Sequence, residues 1–160
     1  MYHSSSSSVL LMNSSTDVSN NKAPTMLLQS VLRDLETTKD RVKLAETYNS
    51  LGLMRLHMQR DPLGAMECHT QAKELLLRHC NNEEDGVELL AITYSDLGYC
   101  HERLSETDQA LIQYKLARTR LSQVLSPDHP RMIAVQRAID RVLRMSPVSD
   151  SSSSSLPSSC

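Results

Sequence analysis

The sequence predicts an all-α protein, a short α-solenoid of antiparallel helical hairpins with two full repeats and a half-repeat on either side. Three observations lead there. Apolar residues recur at helical spacing through most of the chain, and no alternating run is long enough for a strand. A block of helix, turn and helix occurs twice at a fixed interval, the mark of a stacked helical array. The composition is 39% hydrophobic with no Phe or Trp, so the core must be built of Leu, Met, Val, Ala and Tyr, which suits helices.

Taken in order, residues 1–24 are rich in Ser and Asn and are expected to be a disordered tail. Pro24-Thr25 opens the ordered domain, residues 25–145. Met26 to Thr37 carries Leu28, Val31, Leu32 and Leu35 on one side, an amphipathic helix in the place of a second helix from an incomplete repeat. The first full hairpin has a helix from about Asp40 to Gln59, a turn at Asp61-Pro62 and a helix to about Cys80; Pro62 fits a first helical turn, where its missing N–H is not needed. After a polar loop at Asn81 to Asp85 comes the second hairpin. Its turn, Ser105-Glu106-Thr107-Asp108, reads as a hydroxyl cap with an acid three residues on. Ser126-Pro127-Asp128-His129-Pro130 is a stiff turn, and a last helix from about Arg131 to Met145 has an apolar stripe of Met132, Val135, Ile139 and Val142. Leu143 stands there where a second hairpin has Gly98, so the helix reads as a cap that closes the stack. Residues 146–160, with Ser151 to Ser155, are expected to be a second disordered tail.

The duplication is detailed. Leu44, Tyr48, Leu51, Arg55 and Met58 share their offsets with Leu90, Tyr94, Leu97, His101 and Leu104, and Gly52 follows Leu51 as Gly98 follows Leu97. In the second helices Ala65, His69, Ala72 and Leu76 stand against Ala110, Tyr114, Ala117 and Leu121. The shift is 46 residues in the first helix and 45 in the second, because the first turn is one residue longer. Gly and Ala at these places are expected to let neighbouring helices approach closely.

With Leu51-Gly52, Ala65, His69 and Ala72, and again Leu97-Gly98, Ala110, Tyr114 and Ala117, the chain resembles the tetratricopeptide repeat family. Its long period is similar to the repeats of kinesin light chains and of spindle adaptors with Leu-Gly-Asn repeats, and Pro127-Asp128-His129-Pro130 is similar to the loop between kinesin-light-chain repeats. The resemblance implies a non-catalytic adaptor whose first helices line a concave groove for a peptide or helix of a partner protein. Carried onto this sequence, it places Glu46, Asn49, Leu53, Leu56, Ile92, Ser95, Tyr99 and Glu102 in the groove, and Tyr48, Leu51, Gly52, Ala65, Ala72, Tyr94, Leu97, Gly98, Ala110, Tyr114 and Ala117 in repeat packing. The basic quartet with which some members clamp a C-terminal carboxylate is missing, with Leu53 at a key Asn position. So short an array is also expected to homo-oligomerise or dock on a larger partner.

Formal net charge is −2, so no bulk field draws the chain to nucleic acid or an anionic membrane. Arg137, Arg141 and Arg144 on the last helix offer an alternative, a basic strip for RNA or an acidic partner; without a regional excess of positive charge, the polar face of a capping helix is preferred. Four cysteines lack disulfide spacing, and no signal peptide or membrane-length apolar run is evident, which points to a reducing cytosolic home. Cys160 does not fit the four-residue prenylation box. Zinc is the rival chemistry, through Cys68-His69, His79-Cys80 and Cys100-His101. Adjacent residues on a helix diverge by about 100°, however, so each pair offers one good ligand where three or four must converge. No nucleophile elbow, phosphate-cradling glycine loop or H-E-x-x-H occurs, so no enzyme activity, metal, cofactor or small-molecule substrate is expected.

Overall fold

The computed structural model describes residues 22–36, 40–79 and 84–145, with side chains from Met26 onward. Residues 1–21 of the first serine-rich tail, the whole of the second tail and most of the Asn81–Asp85 loop lie outside the described residues; Lys22 to Pro24, expected in the tail, instead form the start of the first helix. Six helices follow one another: α1 Lys22–Glu36, α2 Arg41–Met58, α3 Pro62–His79, α4 Glu84–Arg103, α5 Thr107–Leu121 and α6 Pro130–Met145. Among the described residues there is no strand. Each helix packs on the next, most extensively within the pairs α2/α3 and α4/α5, and α2 also touches α4. That order of contacts is the short helical solenoid expected from the repeat.

Local chemistry sets the helix ends. The Asp40 carboxylate accepts from the Lys43 N–H at 3.1 Å, capping the start of α2. Asp61 does the same for α3, accepting from the Gly64 N–H at 2.9 Å, while Arg55 reaches across the turn to the Gly64 carbonyl at 3.0 Å. The second turn differs from its sequence reading. Ser105 does not cap α5; it sits in the left-handed region, φ 62°. The N–H of Glu106 returns to the His101 carbonyl and that of Ser105 to the Glu102 carbonyl, the six-to-one and five-to-two bonds of a left-handed helix stop. Glu106 takes the cap position but gives no capping bond to the backbone. Its carboxylate instead holds His101 Nδ1 at 2.6 Å.

The main core runs through both hairpins and into the last helix. Leu76, Leu90, Leu121 and Val142 are fully enclosed, and Tyr94, Leu97, Tyr114, Val135 and Ile139 join them. Each such aliphatic side chain contributes about 1.5–3 kcal/mol by leaving water. Ala65, Ala72, Ala110 and Ala117 are all buried at helix contacts. Leu32 of α1 completes a second cluster with Leu44, Leu51 and Cys68.

The glycines meet rings, where the sequence reading expected a neighbouring backbone. A Cβ on Gly52 would come within 2.6 Å of Cε1 and Nε2 of His69. A Cβ on Gly98 would come within 2.9 Å of Cδ1 and Cε1 of Tyr114. His69 and Tyr114 are themselves buried, so neither ring can swing away. The two hairpins thus close through the same contact, glycine of the first helix under the ring of the second.

Candidate functional site

The first helix of each pair supplies the surface of interest. Since α2 lies on α4, their outer sides are continuous. Helix α6 joins them by two ion pairs to α4: Arg131 with Glu88, and Arg141 with Glu102 through Nε and Nη2, both at 2.8 Å. Two clefts open along this face. One, of about 250 Å³, is lined by Val42, Glu46, Asp85, Glu88, Leu89, Ile92 and Arg131. The other, of about 230 Å³, is mostly apolar, with Ile92, Ser95, Tyr114, Leu121, Ala134, Val135 and Ala138 around it and Arg131 at its border with the first.

The predicted groove residues divide. Glu46 and Leu53 are exposed, and Ile92, Ser95 and Tyr99 are half-buried on the same face. Asn49 and Leu56 are not exposed on that face, although Leu56 borders a cleft at its far end. Leu56 is buried with Ala65 and Cys100. Asn49 is buried because α4 covers it: its amide donates to Thr93 Oγ1 at 2.8 Å, and its carbonyl oxygen takes the Nδ1 proton of His69 at 3.0 Å. One side chain thereby ties α2, α3 and α4. Glu102 has a structural task as well, with its side chain only 10% exposed. It accepts from the Tyr114 hydroxyl at 2.6 Å and from Arg141, joining α4, α5 and α6. The hydrogen bond from Arg141 holds the Glu102 carboxyl below its ordinary range. Among the predicted packing residues, Tyr48 is only half-buried and directs its hydroxyl to Glu36 at 3.3 Å, while the others are buried.

Beneath the groove His69 meets Asp96, a buried polar pairing that the sequence did not single out. His69 Nδ1 stands 3.9 Å from Asp96 Oδ2. Neither His69 Nε2 nor Asp96 Oδ2 has a hydrogen-bond partner among the described residues. Burial drives both groups toward their neutral forms: His69 falls to about 4, and Asp96 rises to about 7. The Asp96 side chain keeps 20% exposure through its other oxygen. Burial also pushes the neighbouring Cys100 thiol up to about 12 and raises that of Cys68. Both sulfurs therefore remain protonated thiols, poor nucleophiles and poor ligands.

Among the described residues no three His, Cys, Asp or Glu side chains converge as a metal site would require. No described helix is long and apolar enough to cross a membrane. Of the arginine strip on α6, Arg141 is engaged by Glu102, leaving Arg137 and Arg144 exposed. No family model matches the sequence, and no curated protein matches it.

Proposed function

We propose that this chain is a non-catalytic protein–protein interaction module of tetratricopeptide-like type, which holds a peptide or helix of a partner protein along its first helices. The observation that supports this most is the cleft that α2, α4 and α6 line together, with α6 held to α4 by Glu88–Arg131 and Glu102–Arg141. A face of that kind offers alternating apolar and charged positions, Ile92 and Leu53 beside Glu46 and Asp85. Tyr99 adds a flat apolar body with a polar tip, suited to an interface anchor. The protonated, unpaired thiols of Cys68 and Cys100 accord with a reducing, cytosolic setting.

Capture of partners from lysate, identified by mass spectrometry, tests the proposal when the native chain is compared with a Glu46→Lys/Ile92→Ser variant. Both positions reach solvent, so the variant should keep its helical circular dichroism. It should lose its captured proteins at least tenfold, the loss of about 1.4 kcal/mol or more of binding. Equal recovery of the same proteins by native and variant chains would remove the groove as the binding surface.

A further inference from the structure

At the far end of the same face, the last turns of α2 and α4 leave a cleft of about 380 Å³ walled by Leu56, His57, Arg60, Tyr99 and Arg103. Its lining brings together two guanidinium groups, an imidazole and a phenol, with no carboxylate, in a chain whose net charge is negative. Two of its lining rings, those of His57 and Tyr99, stack on each other, 6.0 Å between centroids and 27° between planes. Arg60 rises from a fixed base. Its backbone is left-handed, φ 54°, and the next N–H, of Asp61, is tied to the Arg55 carbonyl at 3.0 Å.

Neighbouring acids, which would otherwise neutralise these cations, are engaged elsewhere. Asp61 caps α3, Glu67 faces Arg55 at 3.6 Å, Glu102 is bound by Tyr114 and Arg141, and Glu106 holds His101. No carboxylate of the described residues pairs with Arg60 or Arg103. The C-terminal ends of two helices oppose an anion here. That opposition is reduced because the N–H groups of Gln59, Asp61, Leu104 and Glu106 already occupy carbonyls of the last turns.

We propose that this cleft binds a phosphomonoester, presented as a phosphorylated serine or threonine of a partner segment lying in the groove. A single carboxylate answers one guanidinium. A phosphate dianion, with three acceptor oxygens, answers both arginine forks and leaves an oxygen for His57 or Tyr99. The assignment rests on the groove reading, since the cleft is that groove's end.

The full chain, immobilised, would be offered degenerate peptide pools with a fixed central phosphoserine, glutamate or serine. The phosphoserine pool should be retained at least tenfold more than either of the others. An Arg60→Gln/Arg103→Gln variant, altered only at exposed side chains, should lose that preference at least tenfold while its circular dichroism stays native. Failure to retain the phosphoserine pool, equal retention of the glutamate pool, or a preference that survives the double substitution would each overturn the site. Should any of these occur while the Glu46→Lys/Ile92→Ser variant still loses its partners, the phosphate site falls and the groove stands.

Discussion

Tyr114→Ala is expected to destabilise the domain by about 3–5 kcal/mol, a large part of the 5–15 kcal/mol that holds a typical domain folded. The ring is enclosed between Gly98 and the main core, so its removal leaves a cavity that rigid helices cannot close. The hydroxyl adds a second loss. It donates to Glu102 at 2.6 Å, and that carboxylate also receives Arg141. Burial, together with the Glu102 carboxylate, keeps the phenol well above its ordinary range and therefore always a donor. Tyr114→Phe separates the two contributions: the ring stays, and the cost should fall to about 1.5–3 kcal/mol, the usual value of a hydrogen bond to a charged group. Urea unfolding of the native chain and both variants measures this. A cost below about 1 kcal/mol for the alanine variant would mean that the ring does not close the second hairpin.

Asp96→Asn should act in the opposite direction and depend on pH. The Asp96 carboxyl is raised from 3.8 to about 7 by burial. Stability linked to a raised acid is whole below its unfolded value and is lost as pH climbs through about 7. His69 is lowered from 6.5 to about 4. A depressed base gives stability that is present above 6.5 and is lost as pH falls through about 4. Between about 4 and 6.5 the two slopes oppose each other, so this pair leaves the native chain nearly indifferent to pH. With asparagine at this position only the histidine slope remains, and stability should climb across that window. At pH 8, where the native chain holds a half-sealed charged carboxylate, the variant should be more stable by about 2–4 kcal/mol, on the basis of roughly 1.4 kcal/mol for each unit and some relief from the exposed oxygen. Denaturant midpoints at pH 5 and pH 8 supply the test. Equal midpoints for the two proteins at pH 8 would show that Asp96 is already well solvated when ionised.

Much of the architecture was readable because it is periodic. Leu90, Leu97, Ala110, Ala117 and their partners 45 or 46 residues earlier repeat a pattern that only stacked helices satisfy. Seam glycines were visible by the same route, although not the identity of what they face; that His69 and Tyr114 supply rings at equivalent places emerges only once the helices are packed. Position within one helix does not tell which side a neighbouring helix will cover. Asn49 looked available for that reason, yet α4 lies over it, while its counterpart Ser95 borders an open cleft. Glu102 was legible as a groove acid but not as the partner of Arg141, 39 residues away. Asp96 gave no signal, since a lone acid on a helix is by default solvated. Ser105 misled through its chemistry: a hydroxyl before an acid suggests a cap, whereas here the chain needed a left-handed stop, ordinarily a glycine's place.

Paired double-mutant cycles test most directly the claim that the two hairpins are one repeating unit closed by glycine against a ring. Gly52→Ala would be measured alone and with His69→Ala, and Gly98→Ala alone and with Tyr114→Ala, all by chemical unfolding. Each alanine collides with a buried ring in the native background, at a cost of about 1–3 kcal/mol, less the roughly 1 kcal/mol by which alanine favours a helix over glycine. With the ring removed, the collision disappears and the same substitution should stabilise by up to about 1 kcal/mol. The account predicts a coupling of about 1–3 kcal/mol in both cycles. Alanine effects that are the same with and without the ring, in either hairpin, would contradict it.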